Sequence, residues 1–342
     1  MLRMKEILLN LCDINAVSGD ERNARSLIEQ LRQVCDGVYQ LSGGSIVAYK
    51  KCGIQGAKKI MIDAHLDQIG LMVKSIDERG FIHFFDHAGV DYKILPCAEV
   101  TVMGKEQLKG VIGTKPPHLL TAKECEKPVK IEDMTIDVGL PCEVVKEKVR
   151  VGDKIALDCN AVELLGNCLS GRSLDDRAGC AILISLLEHL HGRQLGADVY
   201  IVLSSGEEFG GYGAVAAAKE ICPDEAIVLD VSHADMPAAR SEDCGKMGKG
   251  VMIGLSPVLD RKLCEKMIAL AKEYKIPYQR EAMGGATYTN SDGIVSLCGG
   301  IPTALLSIPQ RYMHTPQEVI SMEDMVSVRS LLLAYLGKEA NR

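Results

Sequence analysis

Apolar positions recur at helical spacing at the start of the chain, over residues 4–12 and 20–34. The second stretch opens with Ser18-Gly19-Asp20-Glu21, whose acids suit a helix N-terminus. The run Lys59–His65 then predicts a buried strand. From about Gly70 to Asp158 the texture changes. Short β-type runs at 69–76, 81–85, 99–102, 108–113, 134–138 and 154–157 are separated by turn signals such as Met103-Gly104 and Lys115-Pro116-Pro117. Strands this short and close predict a small all-β barrel or sandwich.

After Leu164 strand and helix alternate. Helices are predicted at 176–191, 211–221, 260–274 and 323–336, and strands at 198–204, 226–231 and 301–308. This rhythm predicts an α/β fold, a sheet flanked by helices on both faces, joined by Lys59–His65 across the β block. The expected organisation is a discontinuous catalytic domain, 1–69 with 160–342, and an inserted β-barrel-like dimerisation domain, 70–159. There is no internal repeat or low-complexity tract.

Composition narrows the class. A chain of 342 residues with 47% hydrophobic content can bury two domain cores. A net charge of −7 argues against a nucleic-acid partner. No apolar run is long enough to cross a bilayer, so no membrane partner is expected. Glu6, Asn10 and Asp13 interrupt any signal-like core after Arg3 and Lys5. Thirteen cysteines without a Cys-x-x-Cys pair suit reduced thiols in a cytoplasm rather than a disulfide framework or a thiolate zinc site.

Candidate chemistry gathers at the ends of the apolar runs. His65, Glu207-Glu208 and Asp230 each follow a strand run, and His314 lies six residues past Ile308; Asp175 starts a helix. Ligands of open α/β sheets bind outside the carboxyl ends of strands. A lone Asp after a strand is most often a helix cap, but the whole set resists that explanation. Two histidines and three carboxylates can hold two metal ions and leave one acid as a base for water. Asp67, two residues past His65, points the same way and can orient the imidazole. Glu207 and Glu208 diverge on an extended backbone, so one can bind metal while the other reaches water. A glycosidase needs its two acids on opposite sides of a bond, which a tandem pair does not supply. Asp175 can bridge two cations, and nitrogen and oxygen ligands suit Zn, Co or Mn.

The motifs Val17-Ser18-Gly19-Asp20-Glu21, His65-Leu66-Asp67, Gly110-Val111-Ile112-Gly113, Leu174-Asp175-Asp176-Arg177, Gly206-Glu207-Glu208 and Arg311-Tyr312-Met313-His314-Thr315-Pro316 occur in that order. In this the chain resembles the tetrahedral, cocatalytic-metal aminopeptidases, which include glutamyl aminopeptidases and proteins labelled endoglucanases. The resemblance implies two divalent metal ions, zinc first and cobalt or manganese as alternatives. His65 and Asp230 would hold one, Glu208 and His314 the other, and Asp175 both. Glu207 would be the general base and Asp67 would orient His65. It also implies a cis peptide after Asp175, short peptide substrates, and a homo-oligomer, a dodecamer built from dimers.

Departures from that family bear on specificity: Gln68 replaces a usual Glu, residues 85–91 replace a usual Gly-Gly-Trp-type stretch, and the Gly-rich loop is stretched over 284–293. Arg172 and Asp292 are candidate substrate-binding residues. His118 and His233 are further candidates to shape the site. Gly245-Lys246-Met247-Gly248-Lys249-Gly250 lacks the spacing of a phosphate loop. The competing functions are a two-metal deacylase or dipeptidase, a glycan hydrolase, and a non-catalytic assembly protein.

Overall fold

The computed structural model describes residues 1–237 and 239–339. Helix α1 (Leu2–Cys12) buries Met4, Ile7, Leu8, Leu11 and Cys12, a single stripe at 3.6-residue spacing. The predicted second helix divides into a 3₁₀ turn, Arg22–Arg25, and α2 (Ser26–Arg32). A hairpin that the periodicity did not predict follows, β1 (Gly37–Gln40) and β2 (Ile46–Lys50). Strand β3 (Lys59–His65) is buried from its second residue onward.

The next strands are β4 (Gly70–Ile76), β5 (Ile82–His87), β6 (Glu99–Met103), β7 (Gln107–Gly113), β8 (Thr135–Asp137) and β9 (Lys154–Leu157). They close a barrel in the order β4-β5-β8-β7-β6-β9, every pair antiparallel. Leu71, Val73, Ile82, Phe84, Val100, Val102, Ile112, Ile136 and Ile155 fill it. Two short helices, α3 (Ala122–Cys125) and α4 (Cys142–Lys148), lie in its connections, and α4 contributes Val145 to the interior.

The chain then returns to the sheet through β10 (Val162–Leu164) and β11 (Cys168–Gly171), followed by α5 (Leu174–Leu190). Helix α5 is buried almost all round because β3 and β13 lie against one side and α1 and α9 against the other. The remaining elements are β12 (Asp198–Ser204), α6 (Tyr212–Ile221), β13 (Glu225–His233), β14 (Val251–Leu255), α7 (Arg261–Glu273), β15 (Tyr278–Ala282), α8 (Ser291–Ile294), β16 (Thr303–Arg311), β17 (Glu318–Ser321) and α9 (Met322–Glu339). Among the described residues the large sheet has 11 strands, with the path β1-β2-β12-β3-β13-β16-β17-β11-β10 and with β14 and β15 branching from β16. β12, β3, β13 and β16 are mutually parallel, and the outer strands make the sheet mixed.

Arg177 locks α5 to the start of the chain. It is fully buried and donates to the carbonyls of Leu66 (2.8 Å), Ile14 (2.8 Å) and Leu11, and to the Gln68 amide oxygen (2.9 Å). Burial pulls the guanidinium down to about 10. Gln68 therefore serves a structural contact below the site. No helix among the described residues is long and apolar enough to cross a membrane.

Candidate metal centre and active site

Strand register brings the candidate residues together. Ser204 pairs with His65 and Val228 with Asp63, so His65, the turn after β12 and Asp230 leave the sheet along one edge. Gly206 makes that turn possible. Its φ is +67°, and a Cβ there would come within 2.1 Å of the Tyr212 ring. The chain then enters a 3₁₀ turn, Glu207–Phe209. Asp175 stands at the start of α5, followed by a cis Asp175–Asp176 peptide. His314 lies just past β16.

Two ligand clusters share Asp175. His65, Asp175 and Asp230 form one, and Asp175, Glu208 and His314 the other, with the ligand atoms of each within 4.8 Å of one another. His65 Nε2 lies 2.9 Å from Asp175 Oδ1 and 3.9 Å from Asp230 Oδ1. His314 Nε2 lies 3.7 Å from Asp175 Oδ2 and 3.2 Å from Glu208 Oε2. The two oxygens of Asp175 thus face different clusters.

The second nitrogen of each imidazole is fixed. His65 Nδ1–H donates to the Asp67 carbonyl at 3.2 Å, while the Asp67 carboxylate is 3.7 Å away. That carboxylate instead accepts the backbone N–H groups of Glu207 (3.1 Å) and Glu208 (3.2 Å). Asp67 therefore positions the Glu207-Glu208 turn as well as His65. His314 Nδ1–H donates to the Gly89 carbonyl at 3.3 Å, so the unusual 85–91 segment reaches the centre from the barrel. The His87 ring, in the same segment, stacks on Phe209 with centroids 4.9 Å apart.

Glu318 was invisible in the sequence pattern. It is 1% exposed, and its two oxygens accept the backbone N–H groups of Asp175 (3.1 Å) and His314 (3.1 Å), tying together two candidate ligands far apart in the chain. A single polar residue at the head of a short strand carries no sequence signal for that role.

The expected pocket residues make contacts within the fold. Arg172 is buried and donates to the Leu157 carbonyl at 2.9 Å, 3.6 Å from Asp158, at the exit of the barrel. Asp292 accepts from Thr287 N (2.9 Å), Thr287 Oγ1 (2.8 Å) and Tyr288 N (2.9 Å), holding the 284–293 loop in shape. Asn290 anchors the same loop to Asp63 beneath His65, at 2.8 Å. His118 is exposed on the barrel, in the turn Pro117–Leu119. A cavity of about 570 Å³ opens beside the clusters, lined by Asp175, Glu207, Asp230, His314 and, among others, His233 and Thr287–Thr289.

The electrostatics point to missing positive charge. Burial, reinforced by Glu208 and Asp175, pushes the Glu207 carboxyl up to about 8. Burial pushes Glu208 up to about 7 despite the hydrogen bond from His314. That hydrogen bond lifts the His314 imidazole to about 9. Burial drives Asp230 and Glu318 well above the carboxylate range. His65 loses by burial but is carried well above its usual value by Asp175 and Asp67. Among the described residues no lysine or arginine pairs with Glu207, Glu208, Asp230 or Glu318. Divalent cations supply what such a cluster lacks, and its nitrogen and oxygen donors fit them.

These shifts have a consequence for stability. Without cations the folded chain keeps protons that the unfolded chain releases between the ordinary carboxylate value of 4.5 and the His314 value of about 9. Stability of the stripped protein therefore falls as pH rises through that window. Cations displace the same protons. The melting temperature of chelator-treated protein is expected to drop between about pH 6 and pH 8.5, while the gain on adding zinc or cobalt grows. A gain that shrinks with rising pH would contradict this reading.

A large mixed sheet with this centre at its carboxyl edge defines a protein of the metallopeptidase type. The chain belongs to the M42 glutamyl aminopeptidase family, which it matches over residues 44–331. It is 32% identical to a lysyl aminopeptidase of Pyrococcus furiosus, over 97% of this chain and 96% of that one. The aminopeptidase APDkam598 of Desulfurococcus kamchatkensis has the same fold, with a TM-score of 0.89 at 32% identity over 97% of this chain and 94% of that one. The TET1 peptidase of Pyrococcus horikoshii, described as assembling into a tetrahedron or a large octahedral shell, superposes with a TM-score of 0.87 at 28% identity, over 97% and 99%. M42 peptidases are metal-dependent aminopeptidases, and this chain is an aminopeptidase of that family.

Proposed function

We propose that the protein removes N-terminal residues from short peptides by a two-metal, Glu-base mechanism. The observation that carries this reading is Asp175, whose two oxygens face two separate ligand clusters with Glu207 beside them on the cavity wall. His65 and Asp230 would hold one cation, Glu208 and His314 the other, and Asp175 both. Zinc suits the donor set first, with cobalt or manganese compatible. When bound, the pair supplies Lewis-acid polarisation of the scissile carbonyl and acidifies water.

The protein's own groups do the rest. Glu207 takes the proton of the attacking water and returns it to the leaving amine. Asp67 holds Glu207 in place through the backbone and helps fix the His65 ring. Glu318 fixes the main chain at Asp175 and His314.

Residues 1–69 and 160–342 form the catalytic domain in this reading, and the 70–159 barrel mediates dimer contacts. Dimers would assemble into a dodecamer; a homo-oligomer is supported by the tetrahedron or octahedral shell described for the Pyrococcus horikoshii relative. Enclosure of the active sites would admit peptides and exclude folded proteins. Thirteen free thiols support a cytoplasmic setting.

A panel of chromogenic substrates tests the reading on protein reloaded with zinc or cobalt. Release is expected from free-amine aminoacyl substrates and not from their N-acylated counterparts. Cleavage of the acylated set alone would make the protein a deacylase, and cleavage of glycans that survives chelation would make it a glycan hydrolase.

A further inference from the structure

We propose that the cavity beside the metal centre selects a cationic N-terminal side chain, lysine or arginine, and that Glu281 is the residue that reads it. This rests on the aminopeptidase reading above and adds the side-chain preference to it. The family's names do not decide the matter, since they include both glutamyl and lysyl enzymes.

Glu281 belongs to β15, at the edge of the sheet, and its side chain lines the cavity. Ser232 Oγ donates to one of its oxygens, and Ser307 Oγ to the other at 2.8 Å. Those two contacts place the carboxylate relative to the centre. Ser307 is the register partner of the candidate ligand Asp230, and Ser232 lies two residues further along β13 on the same face. The carboxylate is therefore held beside the strand ends that carry Asp230, on the wall of the same cavity as Asp175, Glu207 and His314.

Two hydroxyl donors leave a carboxylate with unused acceptor positions, and no lysine or arginine pairs with Glu281 among the described residues. Its neighbour Arg280 lines both this cavity and a separate groove with Leu259, Cys264 and Ile268, and successive residues of a strand point to opposite faces. Met252, Met283 and Met313 are among the residues that line the cavity, and unbranched thioethers pack well along a flexible hydrocarbon stem. Glu242 and Asp243 line the outer part of the cavity, with Arg240 at 3.7 Å and 2.7 Å from them. A carboxylate with free acceptor positions in a cavity that also offers methionine side chains accepts a cationic tip and repels an anionic one.

The test measures kcat/KM for the chromogenic amides of lysine, arginine, leucine and glutamate on metal-loaded wild type and on Glu281→Gln. Wild type is expected to prefer lysine or arginine over leucine by about 10–100-fold and to leave the glutamate substrate nearly untouched. In the variant the lysine-to-leucine ratio is expected to collapse towards one, chiefly through KM for lysine. A wild type that prefers leucine or glutamate overturns the inference and leaves the aminopeptidase reading standing. Equal loss on all substrates in the variant shows a structural role and overturns it too. Silence towards every substrate overturns the aminopeptidase reading and this inference with it.

Discussion

Replacing Glu207 with glutamine is expected to lower kcat on an aminoacyl substrate by about 10²–10⁴-fold, the usual share of a positioned general base. The amide has the shape of the acid but cannot accept the proton of the attacking water. The change leaves the surroundings intact. Asp67 holds residue 207 through its backbone N–H, which glutamine keeps. The candidate metal-ligand clusters comprise His65, Asp175, Asp230, Glu208 and His314, so Glu207 is not among the groups that would hold cations. Removing one of several crowded buried acids also relieves repulsion. Bound metal and melting temperature should therefore stay near wild-type values, so a loss of turnover reports on proton transfer. Turnover within a few-fold of wild type, with metal retained, would take the base role away from Glu207.

Asp175→Ala is expected to act earlier, on the centre itself. Its carboxylate is the sole group common to both ligand clusters among the described residues, and it faces His65 at 2.9 Å and His314 at 3.7 Å. Without it each cluster is left with two donors. Loss of an outer hydrogen bond to a ligand costs about 10–100-fold in metal affinity or activity. Loss of the shared ligand should exceed that for both ions and abolish measurable turnover. Metal content of the purified variant is the readout, because the N–H of residue 175 can still donate to Glu318 and keep the local chain in place. A variant that retains the wild-type metal content would separate the two clusters from metal binding altogether.

Lys59–His65 and Asp198–Ser204 are buried almost throughout and form where their apolar runs lie. The barrel strands are only partly buried, β7 mostly exposed, and were legible from the turn signals that separate them. Strands whose environment is set by distant partners were missed. β1 is half-buried throughout and shows no alternation. β15 carries Gln279, Arg280 and Glu281 at its centre and, among the described residues, pairs only with β14. Helix α4, seven residues rich in Lys and Glu, owes its place to Val145 in the barrel interior. β13 and β16 run past their apolar cores to His233 and Arg311, because pairing with each other continues beyond the last buried aliphatic residue.

The site divides along the same line. His65, Asp230 and the Glu207-Glu208 pair were legible because each ends or follows an apolar strand, and parallel register aligns such ends. Glu318, Gly89 and Glu281 were not legible, since each acts through contacts made only when separate segments meet. Asp292 belongs to the stretched Gly-rich loop and Arg172 to the segment just before Leu174-Asp175-Asp176-Arg177. Folding uses their charges to shape a loop and to join the barrel to the sheet.

Metal reconstitution tests the two-metal centre most directly. Protein stripped by chelator would be titrated with cobalt or zinc, with bound ions per chain and aminopeptidase turnover measured on the same samples. Two ions bound per chain, with turnover absent in the stripped protein and restored as they bind, is the expected result. Hydrolysis that persists without metal, or saturation at one ion per chain with full activity, would contradict it.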